Sequence, residues 1–225
     1  MIITSANSIF RIVGEIDDDI VEIIDNTINL IPSCLEDAIG RSGATIDFID
    51  APNVSCHPCY SECYIVGTSG HHVSCYNGIC PNIIDDYYRP GVVCTAKGYD
   101  IKYNTLHEFA HTCDYSIYHI NSGNENELKN EWEALMKGPL KHEYYNDDKE
   151  YFAHSFALGM ANENELMDEC GIDVYNFITK LLLMENVDVT INMREYSGYA
   201  ESWIMTMPFT VLKPTERRYH ESISY

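Results

Sequence analysis

The chain has 225 residues with 35 acidic and 14 basic side chains, which gives a formal net charge of -21. Apolar residues make up 45% and charged residues 22%, as in folded globular proteins and unlike disordered or collagen-like chains. The negative charge repels phosphate backbones and anionic membrane surfaces, so nucleic-acid binding is excluded as a function class. The longest apolar runs, such as residues 181–184, are far shorter than the ~20 residues of a membrane span.

The first predicted elements are two helices. Apolar residues recur at helical spacing over residues 16–31 and predict a helix that the following proline ends. Ser33 and Glu36 have the spacing of a capping box, which predicts a short second helix that ends at Gly40 or Gly43. The amino terminus lacks the basic start and apolar core of a secretory signal. The localisation stays open, with secretion or delivery into a target cell by another route as alternatives.

Strands and an irregular segment follow these helices. Residues 45–50 predict a strand, and residues 52–90, rich in Cys, Gly, Asn, Tyr and Pro, predict long loops with a short hairpin. Over residues 91–103 the alternation of Tyr99, Ile101 and neighbouring apolar residues predicts a strand before the next helix.

A cysteine-rich loop region covers residues 52–94. Six of the nine cysteines lie there, and three explanations account for them: disulfides in an oxidising compartment, a structural metal site, or free thiols. Of the three, disulfides are favoured, because two bridges would staple a loop that has little apolar core of its own. The six are Cys56, Cys59, Cys63, Cys75, Cys80 and Cys94.

The second half of the chain is mainly helical. Helices are predicted from about residue 105 to 118, from 125 to the Gly-Pro at 138–139, over 149–161 and over 174–184. Residues 185–225 form a carboxy-terminal extension. The expected fold class is α+β: one mostly helical domain over residues 1–225, with a small sheet before the helix at 105–118.

His107-Glu108-Phe109-Ala110-His111 is an H-E-x-x-H sequence on that helix. The spacing of four residues places both imidazoles on one face, close enough to share a zinc ion, with Glu108 as general base for the attacking water. The alternative is structural: Glu108 completes a capping box that begins at Thr105, and the histidines are solvated or core side chains.

A catalytic zinc ion needs a third protein ligand, and the helix at 149–161 offers two. Glu150 and His154 are again four residues apart on one face. Asp114, on the same face as both H-E-x-x-H histidines, is expected to accept the far N–H of a ligating imidazole; the alternative is an exposed acidic residue.

The segments His107 to Asp114 and Glu150 to Ala153 together resemble the zinc peptidase domain of anthrax lethal factor and the clostridial Pro-Pro endopeptidases. These gluzincins have the patterns H-E-[FL]-G-H-x-x-D and E-[FY]-F-A-E. The resemblance covers roughly residues 16–184 and implies a zincin-like fold, Zn²⁺ as cofactor and a protein or peptide substrate. It also implies Glu150 as third ligand, beside His107 and His111, and Tyr144, or else Tyr145, as oxyanion donor.

Three features depart from the family pattern. Ala110 replaces the usual glycine, His154 replaces the second glutamate, and neither the cysteine-rich loop region nor the extension at residues 185–225 has a counterpart. The predicted function is a zinc-dependent endopeptidase. The alternatives are a weakened or inactive zinc-binding protein that retains the fold, and a cysteine-stapled interaction protein. The oligomeric state is not predicted.

Overall fold

The fold consists of a small mixed sheet and seven α-helices within the described part of the chain. A computed structural model describes residues 9–60, 76–84, 87–121, 126–137, 147–185, 187–191, 193 and 209–211. None of the helices in these ranges is both long enough and apolar enough to cross a bilayer. The α+β class predicted from the sequence is confirmed.

Five strands form the main sheet and two more form a separate hairpin. The strands are β1 (Phe10–Val13), β2 (Ile46–Ile49), β3 (Gly78–Ile79), β4 (Asn82–Ile84), β5 (Tyr87–Arg89), β6 (Gly91–Cys94) and β7 (Phe209–Val211). The order in the main sheet is β3-β6-β2-β1-β7, and β4 pairs with β5. Strands β1, β2 and β6 are parallel, whereas the outer strands β3 and β7 run antiparallel to their neighbours.

The helices follow the first strand and then dominate the second half. They are α1 (Asp18–Ile28), α2 (Ser33–Ser42), α3 (Ile101–Cys113), α4 (Glu127–Met136), α5 (Asp148–Ala161), α6 (Glu163–Cys170) and α7 (Ile172–Leu182). A 3₁₀ turn covers Val54–Cys56, and one turn of π-helix, Asp114–Tyr118, continues α3.

Apolar side chains form two clusters, on opposite faces of the main sheet. The alternation along β6 shows this division, since Val93 belongs to the larger cluster and Val92 and Cys94 to the smaller one. The larger cluster also contains Phe48 of β2 and Phe109 of α3, and it therefore packs the helices against the sheet.

Helix α5 is fixed by an aromatic group around Trp132 of α4. The indole stacks on Tyr151 and meets Phe152 edge to face, with ring centroids 5.8 and 5.5 Å apart, and Phe177 of α7 lies 5.4 Å away. Because Tyr151 and Phe152 follow Glu150 directly, this packing fixes the start of α5 and with it the direction of the Glu150 side chain.

Two local predictions are wrong. Ser33 is the first residue of α2 rather than its cap, since Pro32 occupies the N-cap and no side chain caps the helix; Gly43, with a φ angle of 81°, ends it as expected. The strand predicted over residues 91–103 ends at Cys94, because Asp100 accepts a hydrogen bond from the Tyr103 amide at 2.9 Å and starts α3 at that point.

Candidate metal centre

Helix α3 places two imidazoles next to each other. The rings of His107 and His111 lie one turn apart, edge to face, with centroids separated by 4.8 Å. Thr105 is inside the helix, where its hydroxyl donates to the Ile101 carbonyl at 2.7 Å. A capping box from Thr105 to Glu108 is therefore wrong, and it gives no structural explanation of the motif.

Helix α5 brings Glu150 to these rings from its first turn. One carboxylate oxygen of Glu150 lies 3.0 Å from Nε2 of His107, and the other lies 3.5 Å from Nε2 of His111. The ligand atoms of the three side chains all lie within 4.8 Å of one another. We call these three residues the metal cluster.

The donor set of the metal cluster fits a catalytic zinc ion. Two imidazoles and one carboxylate are a known ligand set for zinc with one open position. The Glu150 side chain is 46% exposed, against 12% for His107 and 17% for His111, so the cluster opens to solvent beside the carboxylate. Within the described ranges, no other three His, Cys, Asp or Glu side chains converge in this way.

The charges of the metal cluster favour an ionised carboxylate. Hydrogen bonds from both histidines lower the pKa of Glu150. Burial lowers the pKa of His107 and outweighs the contact with Glu150. Burial acts in the same direction on His111, but Glu150 and the nearby Glu108 carboxylate act more strongly, so the pKa of His111 is raised.

Glu108 lies beside the metal cluster and is only 9% exposed. Burial raises the pKa of Glu108 to about 7; His111 opposes this shift and Glu150 adds to it. A carboxyl group with a pKa near neutrality can both accept and return a proton.

Strand β3 brings residues to the site that no sequence pattern places there. Gly78 lies against the Glu108 side chain. Cys80 follows the strand, and burial together with the Glu108 and Glu150 carboxylates raises the pKa of its thiol, which therefore stays protonated. The signal available in the sequence was only the general cysteine content of this region.

His154 belongs to a different chain of contacts. Its Nδ1 lies 3.0 Å from the Tyr103 hydroxyl and its Nε2 lies 3.3 Å from Glu169 of α6. The Tyr103 ring in turn lies 5.4 Å from that of His107. Of the two ligands that the sequence offers on α5, Glu150 is therefore the one that joins the metal cluster, and His154 links α3 to α6 behind it.

Asp114 does not hold a ligating imidazole, and this expectation is wrong. Its carboxylate accepts hydrogen bonds from the Ile120 amide at 2.6 Å and from the Asn121 side chain at 2.8 Å. Nδ1 of His107 is buried without a hydrogen-bond partner. The carboxylate thus stabilises the loop after the π-turn, because that loop folds back over the end of the helix.

A comparison with solved structures finds a protein of similar fold. No family model matches the chain, and no curated protein matches it. A solved Pro-Pro endopeptidase, PPEP-2 from Paenibacillus alvei, superposes with a TM-score of 0.57 at 19% identity, over 77% of this chain and 97% of that one. The two proteins share a fold.

Several residues named in the sequence predictions lie outside the described ranges. Tyr144 and Tyr145, the expected oxyanion donors, lie outside, as do Cys63 and Cys75. Elsewhere in the cysteine-rich loop region Cys56 is a free thiol. The oxyanion role and the boundaries 1–225 and 16–184 remain predictions.

Proposed function

We propose that this protein is a zinc-dependent endopeptidase. The observation that carries the proposal is the convergence of His107, His111 and Glu150 beside the buried Glu108 carboxylate. The fold shared with a peptidase supports it. Zn²⁺ is the proposed cofactor, a protein or peptide the proposed substrate, and Glu108 the proposed general base.

The residues divide the chemistry between them. His107, His111 and Glu150 would hold the metal, which when bound supplies a Lewis acid and lowers the pKa of a water molecule. Glu108 takes a proton from the attacking water and passes it to the leaving amine as the C–N bond breaks. Because the attacking group is water and not a side chain, no covalent intermediate with the chain is required.

The sheet suggests where an extended peptide would bind. Strand β3 is one of the two outer strands of the main sheet in the described part of the chain and packs beside α3. An extended peptide can add to such an edge through main-chain hydrogen bonds. A scissile bond in that position would pass next to Glu108, since Gly78 of β3 lies against this side chain.

Replacement of the general base tests the proposal. Glu108→Gln should retain zinc and fold while hydrolysis of a peptide library falls by about 10²–10⁴-fold or more. Glu163→Gln on exposed α6 removes the same charge away from the site and should leave turnover unchanged. Metal content, circular dichroism and turnover are measured on all three proteins.

Two outcomes would contradict the proposal. Wild-type turnover in Glu108→Gln would exclude this residue as the base. A wild-type protein that binds one equivalent of zinc but cleaves no peptide in the library would favour the alternative, an inactive zinc-binding protein that retains the fold.

A further inference from the structure

Gly78 lies on β3 where this strand meets α3, the helix that carries His107 and His111. It pairs with Val93 of β6, so its position is fixed by the main sheet. Its φ angle is not in the left-handed region, and the backbone at this position would accept any L residue. The backbone conformation therefore does not require glycine at position 78. The reason for a glycine there must lie in the space around it.

The space that a side chain would fill at Gly78 is occupied by Glu108. A Cβ atom built on Gly78 would lie 2.6 Å from Oε1 of Glu108 and 3.1 Å from both its Cδ and its Cγ. Those three are the nearest atoms, and all belong to one side chain. Because 2.6 Å is shorter than any ordinary carbon–oxygen contact, a methyl group here would displace the carboxylate.

We propose that Gly78 is a positioning residue for Glu108, and that the missing Cβ leaves the notch in β3 in which the carboxylate is held. This inference rests on the proposed function, because the carboxylate position matters to turnover only if Glu108 is the general base. A displacement of about 1 Å at a reacting group can cost about 10²-fold in rate. Glu108 is nearly buried, so it has little room to move without such a loss.

The first test is kinetic. The zinc-loaded Gly78→Ala protein should keep one equivalent of metal and a KM within about threefold of wild type, while kcat falls by about 10–100-fold. A purely structural defect would instead lower the fraction of folded, zinc-loaded protein and leave the kcat of that fraction unchanged.

The second test needs no activity. Denaturation midpoints are measured for wild type, Gly78→Ala, Glu108→Ala and the double variant. With Glu108 present the alanine should lower the midpoint. With Glu108 truncated the notch is empty, and the same alanine should raise the midpoint slightly, because it restricts the unfolded chain.

Gly91→Ala is the matched control on the neighbouring strand. Its Cβ would lie 2.8 Å from Cδ of Pro81 and 3.0 Å from the Ile79 carbonyl oxygen, with none of its nearest contacts to Glu108. It should lower the midpoint equally in the wild-type and Glu108→Ala backgrounds.

Three results would overturn the proposal: a wild-type kcat in Gly78→Ala, loss of zinc from that variant, or the same midpoint shift from Gly78→Ala in both backgrounds. If no form cleaves peptide, the proposed function fails, and with it the effect of Gly78 on turnover. The midpoints still show whether the missing Cβ of Gly78 makes room for Glu108.

Discussion

Two groups of histidine and carboxylate side chains differ in what surrounds them. In the metal cluster Glu150 is half exposed. In the other group, which we call the sheet network, Arg11 of β1, Asp47 of β2 and His57 are all buried. The residue types are nearly the same, so residue type alone does not separate a reactive site from a structural one.

The sheet network satisfies its own hydrogen-bonding groups. Asp47 accepts from Arg11 Nε at 2.6 Å and Nη2 at 2.8 Å, and its second oxygen lies 3.1 Å from His57 Nε2. The Cys59 amide donates to His57 Nδ1 at 3.2 Å, which leaves the Nε2 proton for Asp47. In the metal cluster, by contrast, the Glu150 carboxylate that faces Nε2 of both histidines is open to solvent. The contrast indicates that the sheet network stabilises the fold, whereas the metal cluster has capacity for a ligand.

Loss of a ligand should give the largest effect. We expect His111→Ala and Glu150→Ala to hold no zinc after dialysis, whereas wild type retains one equivalent. Stability in the presence of a chelator should change little in Glu150→Ala, because this side chain is 46% exposed. Elemental analysis and chelator-treated unfolding curves measure this, with Glu163→Ala as control. Full zinc occupancy in His111→Ala would exclude this cluster.

Loss of Asp47 should produce the opposite pattern. Asp47→Asn leaves the buried Arg11 charge without a full partner and should lower the free energy of unfolding by about 3–5 kcal/mol. Asp50→Asn removes the same charge from an exposed position just after β2 and should change it by less than about 0.5 kcal/mol. Zinc affinity of the folded Asp47→Asn protein should match wild type, and a lower affinity would show that the two groups are coupled.

Replacements of His154 should have intermediate effects. We expect His154→Ala to weaken zinc binding by about 10–100-fold, since this residue supports α3 through Tyr103 without touching the metal cluster. His154→Glu should be worse, because its carboxylate would approach Glu169, whose oxygen lies 3.3 Å from the present imidazole. A second change, Glu169→Gln, should then restore binding in the His154→Glu background. Competition with a fluorescent zinc chelator measures these affinities.

Acid should affect the sheet network only at low pH. Burial would raise the pKa of Asp47, but Arg11 and His57 outweigh it, and the pKa is lowered. The folded state therefore loses this proton at lower pH than the unfolded state, so the stabilisation is complete above about pH 4 and is lost as the pH falls further. Unfolding curves from pH 7 to pH 3 should show a shallower acid dependence in Asp47→Asn. Equal slopes would contradict this assignment.

The sequence predicts the helices and the metal cluster better than it predicts the sheet. Strongly periodic segments and the two motifs are local patterns, and α1, α4, α5 and α7 appear close to their expected positions. The sequence does not predict strand β1, because its four residues gain their order from pairing with β2, 36 residues away in the Phe10–Ile46 pair. The prediction for Asp114 is wrong for a related reason: helical spacing gives the face of the helix but not the loop groups that donate to its carboxylate.

The π-turn after α3 has a consequence for how relatives of this chain should be sought. In the turn Asp114–Tyr118 the His119 amide donates to the Asp114 carbonyl five residues back, at 2.7 Å. Such a turn holds one residue more than an α-helical turn, and a single-residue insertion can create it without moving the preceding helix. The number of residues between His111 and Glu150 can therefore differ by one while the ligand geometry stays the same. A pattern search for similar chains should therefore allow a gap of one residue at residues 114–118.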